Sequence, residues 1–228
     1  MHHAEATAAD ASGRTPPISI PVYVAHYTRS PQRLPALTAQ LDNVGLSAFI
    51  VTAFDKEQLT DAHMDCFVSA QGSTKLSEGE ISLSLKHYWM YSDIVRHRRA
   101  ASLVLEDDAI FGDGFATALQ DTLAALETHS FDFAFVGGCL DLKPAVPVAF
   151  SHGSLSFYRT NSSRCSHGYI VSLDGARKML RYLPFDDPID FHINVHNEPL
   201  ASYWVEPSFV DQNKAFESSG IRDGKAKT

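Results

Sequence analysis

Short apolar runs separated by amphipathic stretches confine this chain to a layered α/β architecture, and the run at Ser102-Leu103-Val104-Leu105 constrains it most. It is too short for a membrane span and reads as a buried strand of a parallel sheet. It stops abruptly at three consecutive carboxylates, Glu106, Asp107 and Asp108. Ligands of open α/β sheets gather just beyond the carboxyl ends of strands, where these acids fall. Adjacent carboxylates repel one another unless a cation or hydrogen bonds offset their charge. A hard divalent ion with oxygen ligands is the simplest partner, and such an ion can in turn hold a diphosphate. The pattern points to an enzyme that handles a nucleotide-linked sugar. The competing reading is that the same acids merely cap the helix that follows.

Around this strand the chain alternates strand and helix signals. Ile18 to His26 reads as the first strand. Ser30-Pro31 supplies an N-cap and a proline at the first helical position. Leu34, Leu37, Leu41 and Val44 follow at helical spacing, and Gly45 suits the C-terminal cap. Ala48 to Phe54 is a second strand ending at Asp55, which completes a βαβ unit whose crossover is expected to be right-handed. Ser77 and Glu80 have capping-box spacing and open a helix over about Gly79 to Arg98. Phe115, Leu119, Leu123 and Leu126 mark another helix, and Phe131 to Val136 another strand. Cys139 to Ser166 has little period and predicts a long excursion with a hairpin. A strand at Tyr169 to Val171, a helix at Asp174 to Tyr182 and a strand near Tyr203 to Val205 complete the pattern. The expectation is an α/β fold in residues 18–221 with a central, mostly parallel sheet flanked by helices. A disordered N-terminal arm over residues 1–17 and a flexible polar tail over 222–228 are expected.

Composition narrows the function. The chain has 228 residues and a formal net charge of −8, with no basic block larger than Arg96-His97-Arg98-Arg99. Sequence-independent binding to nucleic acid depends on many phosphate-neutralising cations, so that class is set aside. Cys66, Cys139 and Cys165 form neither a zinc pattern nor a disulfide framework; at most one pair could bridge, and buried free thiols are expected. No stretch approaches the roughly 20 apolar residues that span a bilayer. The first seventeen residues have no apolar centre resembling a signal sequence. A cytoplasmic location is expected, with peripheral membrane contact and a secretory-pathway lumen left open.

Several segments, taken in order, resemble glycosyltransferase family 25, which includes lipooligosaccharide galactosyltransferases and collagen galactosyltransferase domains. Val22-Tyr23-Val24-Ala25 with Arg29 and Arg33 resembles the family's hydrophobic strand followed by Arg-x-x-x-Arg. Gly79-Glu80-Ile81 with Leu85-Lys86-His87 is similar to its "GEIGC…LSH" helix, and Leu105-Glu106-Asp107-Asp108-Ala109 to its "LEDD" motif. His167-Gly168-Tyr169-Ile170-Val171-Ser172 with Gly175-Ala176, then Pro188-Ile189-Asp190, then Glu206 to Gln212 with Ser218-Ser219, resemble later signatures. The chain departs from the pattern at His26 (Asn in the family), Lys56 (Gly), Ser82-Leu83 (Gly-Cys) and Lys86 (Ser). These departures bear on the identity of donor and acceptor.

The resemblance implies a GT-A-like fold and transfer of a hexose, usually galactose, from a UDP-sugar with inversion, with Mn²⁺ (or Mg²⁺) as the cation. The acceptor is a hydroxyl on a saccharide or a hydroxylated peptide. Glu106, Asp108 and Asp190 are the candidate metal ligands, with Asp108 bound directly. Asp190 and Glu106 are the candidate catalytic carboxylates, and the base and ligand roles are not divided between them. His192 and His196 are alternative ligands. Arg29 and Arg33, beside a helix N-terminus, suit phosphate or uracil contacts. Asp55 could hold a ribose hydroxyl, while His87, Asp107, His167 and Tyr169 are expected near donor or acceptor. Gln212 is carried by the resemblance alone. Glu80 is explained by its capping role. Two other readings stay open: a family member that binds nucleotide or glycan without transfer, and a metal-dependent phosphohydrolase.

Overall fold

The structure is a computed structural model that describes residues 18–138, 142–160, 162–192 and 200–216. Its centre is an eight-stranded sheet. The strands are β1 (Val22–Ala25), β2 (Ala48–Val51), β3 (Ala101–Glu106), β5 (Phe133–Phe135), β6 (Phe150–His152), β7 (Leu155–Thr160), β8 (Gly168–Ser172) and β9 (Ser202–Glu206), in the order β2-β1-β3-β8-β5-β9-β7-β6. β1 runs parallel to both β2 and β3, and β5 runs parallel to β9. β8 is antiparallel to β3 and β5, and β7 to β9 and β6. Only β8 and β7 are therefore reversed, and the other six strands share one direction. The fold is the expected α/β arrangement, although β3 has one parallel and one antiparallel neighbour.

Alternation along the strands builds two cores. Val22 and Val24 of β1 with Leu103 and Leu105 of β3 pack against α1 (Arg33–Asn43) and α5 (Phe115–Glu127). Tyr23, Ala25 and Val104 face the opposite way, against α4 (Glu78–Arg96) and α6 (Leu173–Leu180). Glu106 has the parity of Val104 and leaves β3 on the α4 side. α4 begins with the expected capping box, Ser77 and Glu80 each bonding the other's backbone N–H. Gly45, at φ +70°, closes α1 as predicted. α1 itself starts at Arg33 with Gln32 as N-cap, two residues later than Ser30-Pro31 suggested, because Ser30 to Gln32 first form a turn.

Several elements had no periodic signal. α2 (Asp61–Phe67), α3 (Ala70–Lys75) and α7 (Ile189–His192) are short. β4 (Ala109–Phe111) and β10 (Val210–Gln212) pair antiparallel as a separate ribbon, which directly follows the acidic turn. The acids therefore do not cap α5, which begins seven residues beyond Asp108. The hairpin expected in the long excursion is β6–β7. Cys165 is disulfide-bonded and Cys66 is free and exposed, which corrects the expectation of buried thiols. Among the described residues no helix is long and apolar enough to cross a membrane. Cys139, His196, Ser218-Ser219, the arm and the tail lie outside the described residues.

Leu103 is fully buried between α1 and α5. Leu103→Ala removes the three carbons beyond Cβ and leaves a cavity, so it is expected to cost about 2–5 kcal/mol. Urea unfolding checks this: the midpoint falls while the slope stays constant.

Candidate active site

The sheet's reading direction brings the ends of β1, β2 and β3 together, and the turn after β3 is fastened there through Asp107. A carboxylate only accepts hydrogen bonds. His26 Nδ1–H donates to its Oδ2 over 2.7 Å, and the Tyr27 backbone N–H donates to the same oxygen over 3.0 Å. Arg33 Nη1 donates to Oδ1 over 3.1 Å. Arg33 also reaches the Phe216 carbonyl at 2.8 Å, which ties the C-terminal segment to the N-terminus of α1. The Asp108 carbonyl accepts from Asn213 N–H at 2.8 Å, so the turn is held from both sides.

A second anchored carboxylate stands at the end of β2. Asp55 accepts from Lys86 Nζ at 2.7 Å, and from the Thr28 hydroxyl and backbone N–H at 2.5 and 3.1 Å. Burial alone would raise its pKa, but the bonds from Lys86 and Thr28 outweigh burial and hold it below the usual carboxylate range. Lys86, from the middle of α4, also donates to the Ala53 carbonyl at 2.6 Å. Burial lowers its ammonium pKa, with the Asp55 pairing opposing the shift.

Between these anchors lies a small open cleft of about 70 Å³. Its walls include His26, Arg33, Lys56, Lys86, Glu106 and Asp107. Of the residues expected at a donor site, Arg33, Glu106 and Asp107 are thus gathered on one cleft. Arg29 is exposed at its margin, near Tyr27 and Glu57. Gln212 sits on the β10 ribbon opposite Ala109. Asp55 borders the cleft through Lys86, with both of its oxygens engaged.

His87 and Tyr169 are a correction. Both are fully buried in the α4-side core, not on the cleft. His87 Nδ1 meets the Tyr169 hydroxyl at 2.6 Å, and the Tyr91 hydroxyl lies 2.7 Å from it. Burial, with Lys86 adding repulsion, drives His87 down to about 3, so it is neutral, and burial raises the Tyr169 phenol. His167 is likewise buried, and neutral for the same reason at about 4.

Three carboxylates behave differently from the anchored pair. Glu106 accepts from the Ser166 hydroxyl at 2.5 Å, yet burial first, then Asp108 and Asp190, raise its pKa well above the usual range. Burial likewise raises Asp108 to about 6 against the pull of Arg33, and its Oδ1 is buried with no hydrogen-bond partner. Asp190 on α7 is raised by burial, with Ser166 opposing. Among the described residues no three His, Cys, Asp or Glu side chains are already grouped as a metal cage. Mg²⁺-type ions do not require one, since they bind one or two carboxylates and complete their shell with substrate phosphates and water. The under-compensated oxygens of Asp108 and Glu106 fit that chemistry.

Sequence reasoning passed over Ser166, and it noted Lys56 and Lys86 only as departures from a pattern. A usable signal existed on α4, where Gly79, Ser82, Leu83 and Lys86 follow a helical i, i+3, i+4, i+7 stripe and all line the cleft.

Residues 19–193 match glycosyltransferase family 25 (LPS biosynthesis protein), and the chain belongs to that family. It is similar to the probable inactive glycosyltransferase 25 family member 3 of Rattus norvegicus, at 27% identity over 201 residues, covering 80% of this chain and 35% of the relative. A glycosyltransferase 25 family member of Aedes aegypti is 27% identical over 81% of this chain and 32% of its own length. Procollagen galactosyltransferase 1 of Danio rerio is 24% identical over 80% and 32%. The chain spans about a third of the length of these relatives.

Asp108 gives a stability prediction with a definite sign. Its folded pKa lies above the unfolded value, so its contribution is fully present below about pH 4 and is lost as pH rises through about 6. Asp108→Asn in EDTA should therefore be more stable than wild type at pH 8, by up to about 3 kcal/mol, and nearly equal to it at pH 3.5. Paired denaturant titrations at the two pH values check the difference.

Proposed function

We propose that this protein is a hexosyltransferase that moves a sugar, galactose first among candidates, from UDP to a hydroxyl of a saccharide or hydroxylated peptide. One observation carries the reading: Glu106, at the end of β3, is under-compensated on a cleft that also presents cations, and the equally under-compensated Asp108 follows it in the turn. A nucleoside diphosphate brings negative oxygens to Arg33 and its neighbours, and a divalent ion at Asp108, with Glu106 or Asp190, would satisfy the buried acid oxygens. When bound, such an ion supplies Lewis-acid stabilisation of the diphosphate as it departs.

The protein's own groups supply the rest. In this reading the donor lies over the ends of β1 to β3, with the Asp107 anchor keeping the β3 turn rigid. Inverting transfer requires a base to take the acceptor hydroxyl's proton as its oxygen attacks the anomeric carbon opposite UDP. Glu106 and Asp190 are the candidates, and burial raises the proton affinity of both toward that of a working base. The Ser166 hydroxyl hydrogen-bonds Glu106 and also faces Asp190, so it orients the pair.

A second reading, nucleotide binding without transfer, is favoured by the engagement of Asp55 by Lys86 and by the inactive label that some relatives carry. Calorimetry with UDP and product analysis separate the two. Transfer predicts that Mn²⁺ tightens UDP binding, that Asp108→Asn abolishes this gain, and that UDP-galactose yields UDP and a galactosylated acceptor. Glu106→Gln and Asp190→Asn should each be tested for turnover, and the general base is the one whose loss costs at least a hundredfold in kcat with donor affinity retained. Binding with no turnover on a panel of glycan and hydroxylysyl-peptide acceptors would establish the binding-only reading. Release of UMP and sugar phosphate would instead identify a phosphohydrolase.

A further inference from the structure

The positions at which the chain departs from the family pattern are scattered in sequence, but the fold collects His26, Lys56, Ser82, Leu83 and Lys86 on the walls of one cleft. His26 is committed to Asp107 through Nδ1. The two lysines are not used up in this way. Lys56 makes no ion pair or side-chain hydrogen bond among the described residues; its ammonium lies 5.6 Å from the centroid of the Tyr27 ring and is attracted by the neighbouring Glu57. Lys86 has three N–H donors. Two are spent on the Ala53 carbonyl and Asp55, which leaves one on an ammonium fixed at 3% exposure. Asp55, meanwhile, has both oxygens occupied and offers the cleft no free acceptor. This wall of the cleft therefore presents hydrogen-bond donors with positive charge.

We propose that Lys56 and Lys86 form a phosphate-binding subsite, which holds the diphosphate of the donor by direct charge-assisted hydrogen bonds and gives the cleft diphosphate affinity without a divalent ion. The inference rests on the reading of this cleft as the donor site and adds its specificity-determining residues. Lys86 supplies a rigid contact, because its stem is buried and two acceptors fix its ammonium. Lys56 supplies an adjustable one from the turn after β2. The anions facing them are Asp55, Asp107, Glu106 and Glu57, of which Asp55 and Asp107 are already bonded to Lys86, Thr28, His26, Tyr27 and Arg33. Glu57 is bonded to the Tyr27 hydroxyl.

Calorimetry in EDTA with inorganic pyrophosphate and with UDP tests this. Wild type should bind both, and Lys56→Met, at a partly exposed position, should weaken both roughly tenfold or more. Removing Lys86 alone strands a buried carboxylate, so the companion variant is Asp55→Asn with Lys86→Gln, which keeps a neutral hydrogen-bonded pair. It should show the same loss with a cooperative unfolding transition intact. Unchanged affinities in both variants would overturn the subsite. Binding of UDP by wild type only when Mn²⁺ is present would also overturn it while leaving the donor-site reading standing. If wild type binds UDP under neither condition, both fall.

Discussion

Asp107 carries the geometry of the whole site, because its two oxygens receive three donors from two different places in the fold. His26 and the Tyr27 N–H come from the end of β1, and the Arg33 guanidinium comes from the first turn of α1. Charge-assisted bonds of this kind are about twice as strong as neutral ones and demand tighter geometry. They set where the β3 turn sits against β1, and hence where Glu106 and Asp108 stand relative to the cleft. The clamp also gives a role to one departure from the family pattern, His26. An asparagine amide and a histidine Nδ1–H are both short-armed donors, and His26 uses its Nδ1–H on Asp107.

The buried carboxylates of this protein fall into two physical kinds. Asp55, Asp107 and Asp132 are each met by a cation or by backbone N–H groups. Asp132, remote from the cleft, takes Lys178 and the Ala201 N–H, both at 2.7 Å. Such acids fasten loops to the sheet. Glu106 and Asp108 are only partly buried but lack equivalent compensation, and the charge of Asp108 raises the cost of charging Glu106. A fold under selection for stability alone would neutralise or remove them, since an unpaired buried charge costs several kcal/mol. Under-compensated acids at the carboxyl end of a central strand mark a candidate site, whereas fully paired acids such as Asp132 have a structural explanation.

Much of this was legible from residue order. The β3 run, the capping box of α4 and the glycine after α1 depend on local spacing, and they stand where the pattern put them. The short helices α2 and α3 went unseen because six or seven residues show no helical period, although Thr60 and Ser69 cap them. The β4–β10 ribbon unites segments a hundred residues apart, and no local signal records that pairing. The error at His87 has a rotational cause. It shares a face with Glu80, but Glu80 folds back onto Ser77 and that face turns into the core. The cleft is reached by the stripe through Gly79, Ser82, Leu83 and Lys86, one residue round the helix. A step of 100° separates a cleft-lining lysine from a histidine locked against Tyr169.

The Lys86–Asp55 pair shows how the same physics can serve position without adding stability. Withdrawing two charges from water consumes most of what their attraction returns, so an apolar pair of similar volume would hold α4 against β2 about as well. What an apolar pair would not provide is an ammonium whose location is fixed by two acceptors before any ligand arrives. Lysine on a surface loses much rotamer freedom when it binds, and each such side chain immobilised at binding costs roughly 0.5–1.5 kcal/mol. Lys86 has already lost that freedom during folding, while Lys56 retains it. The cleft thus joins one preorganised cation to one that adapts. The preorganised one also feels Asp107, whose charge favours its protonated form. The clamp that sets the β3 turn therefore also helps to keep the opposite wall of the cleft positive.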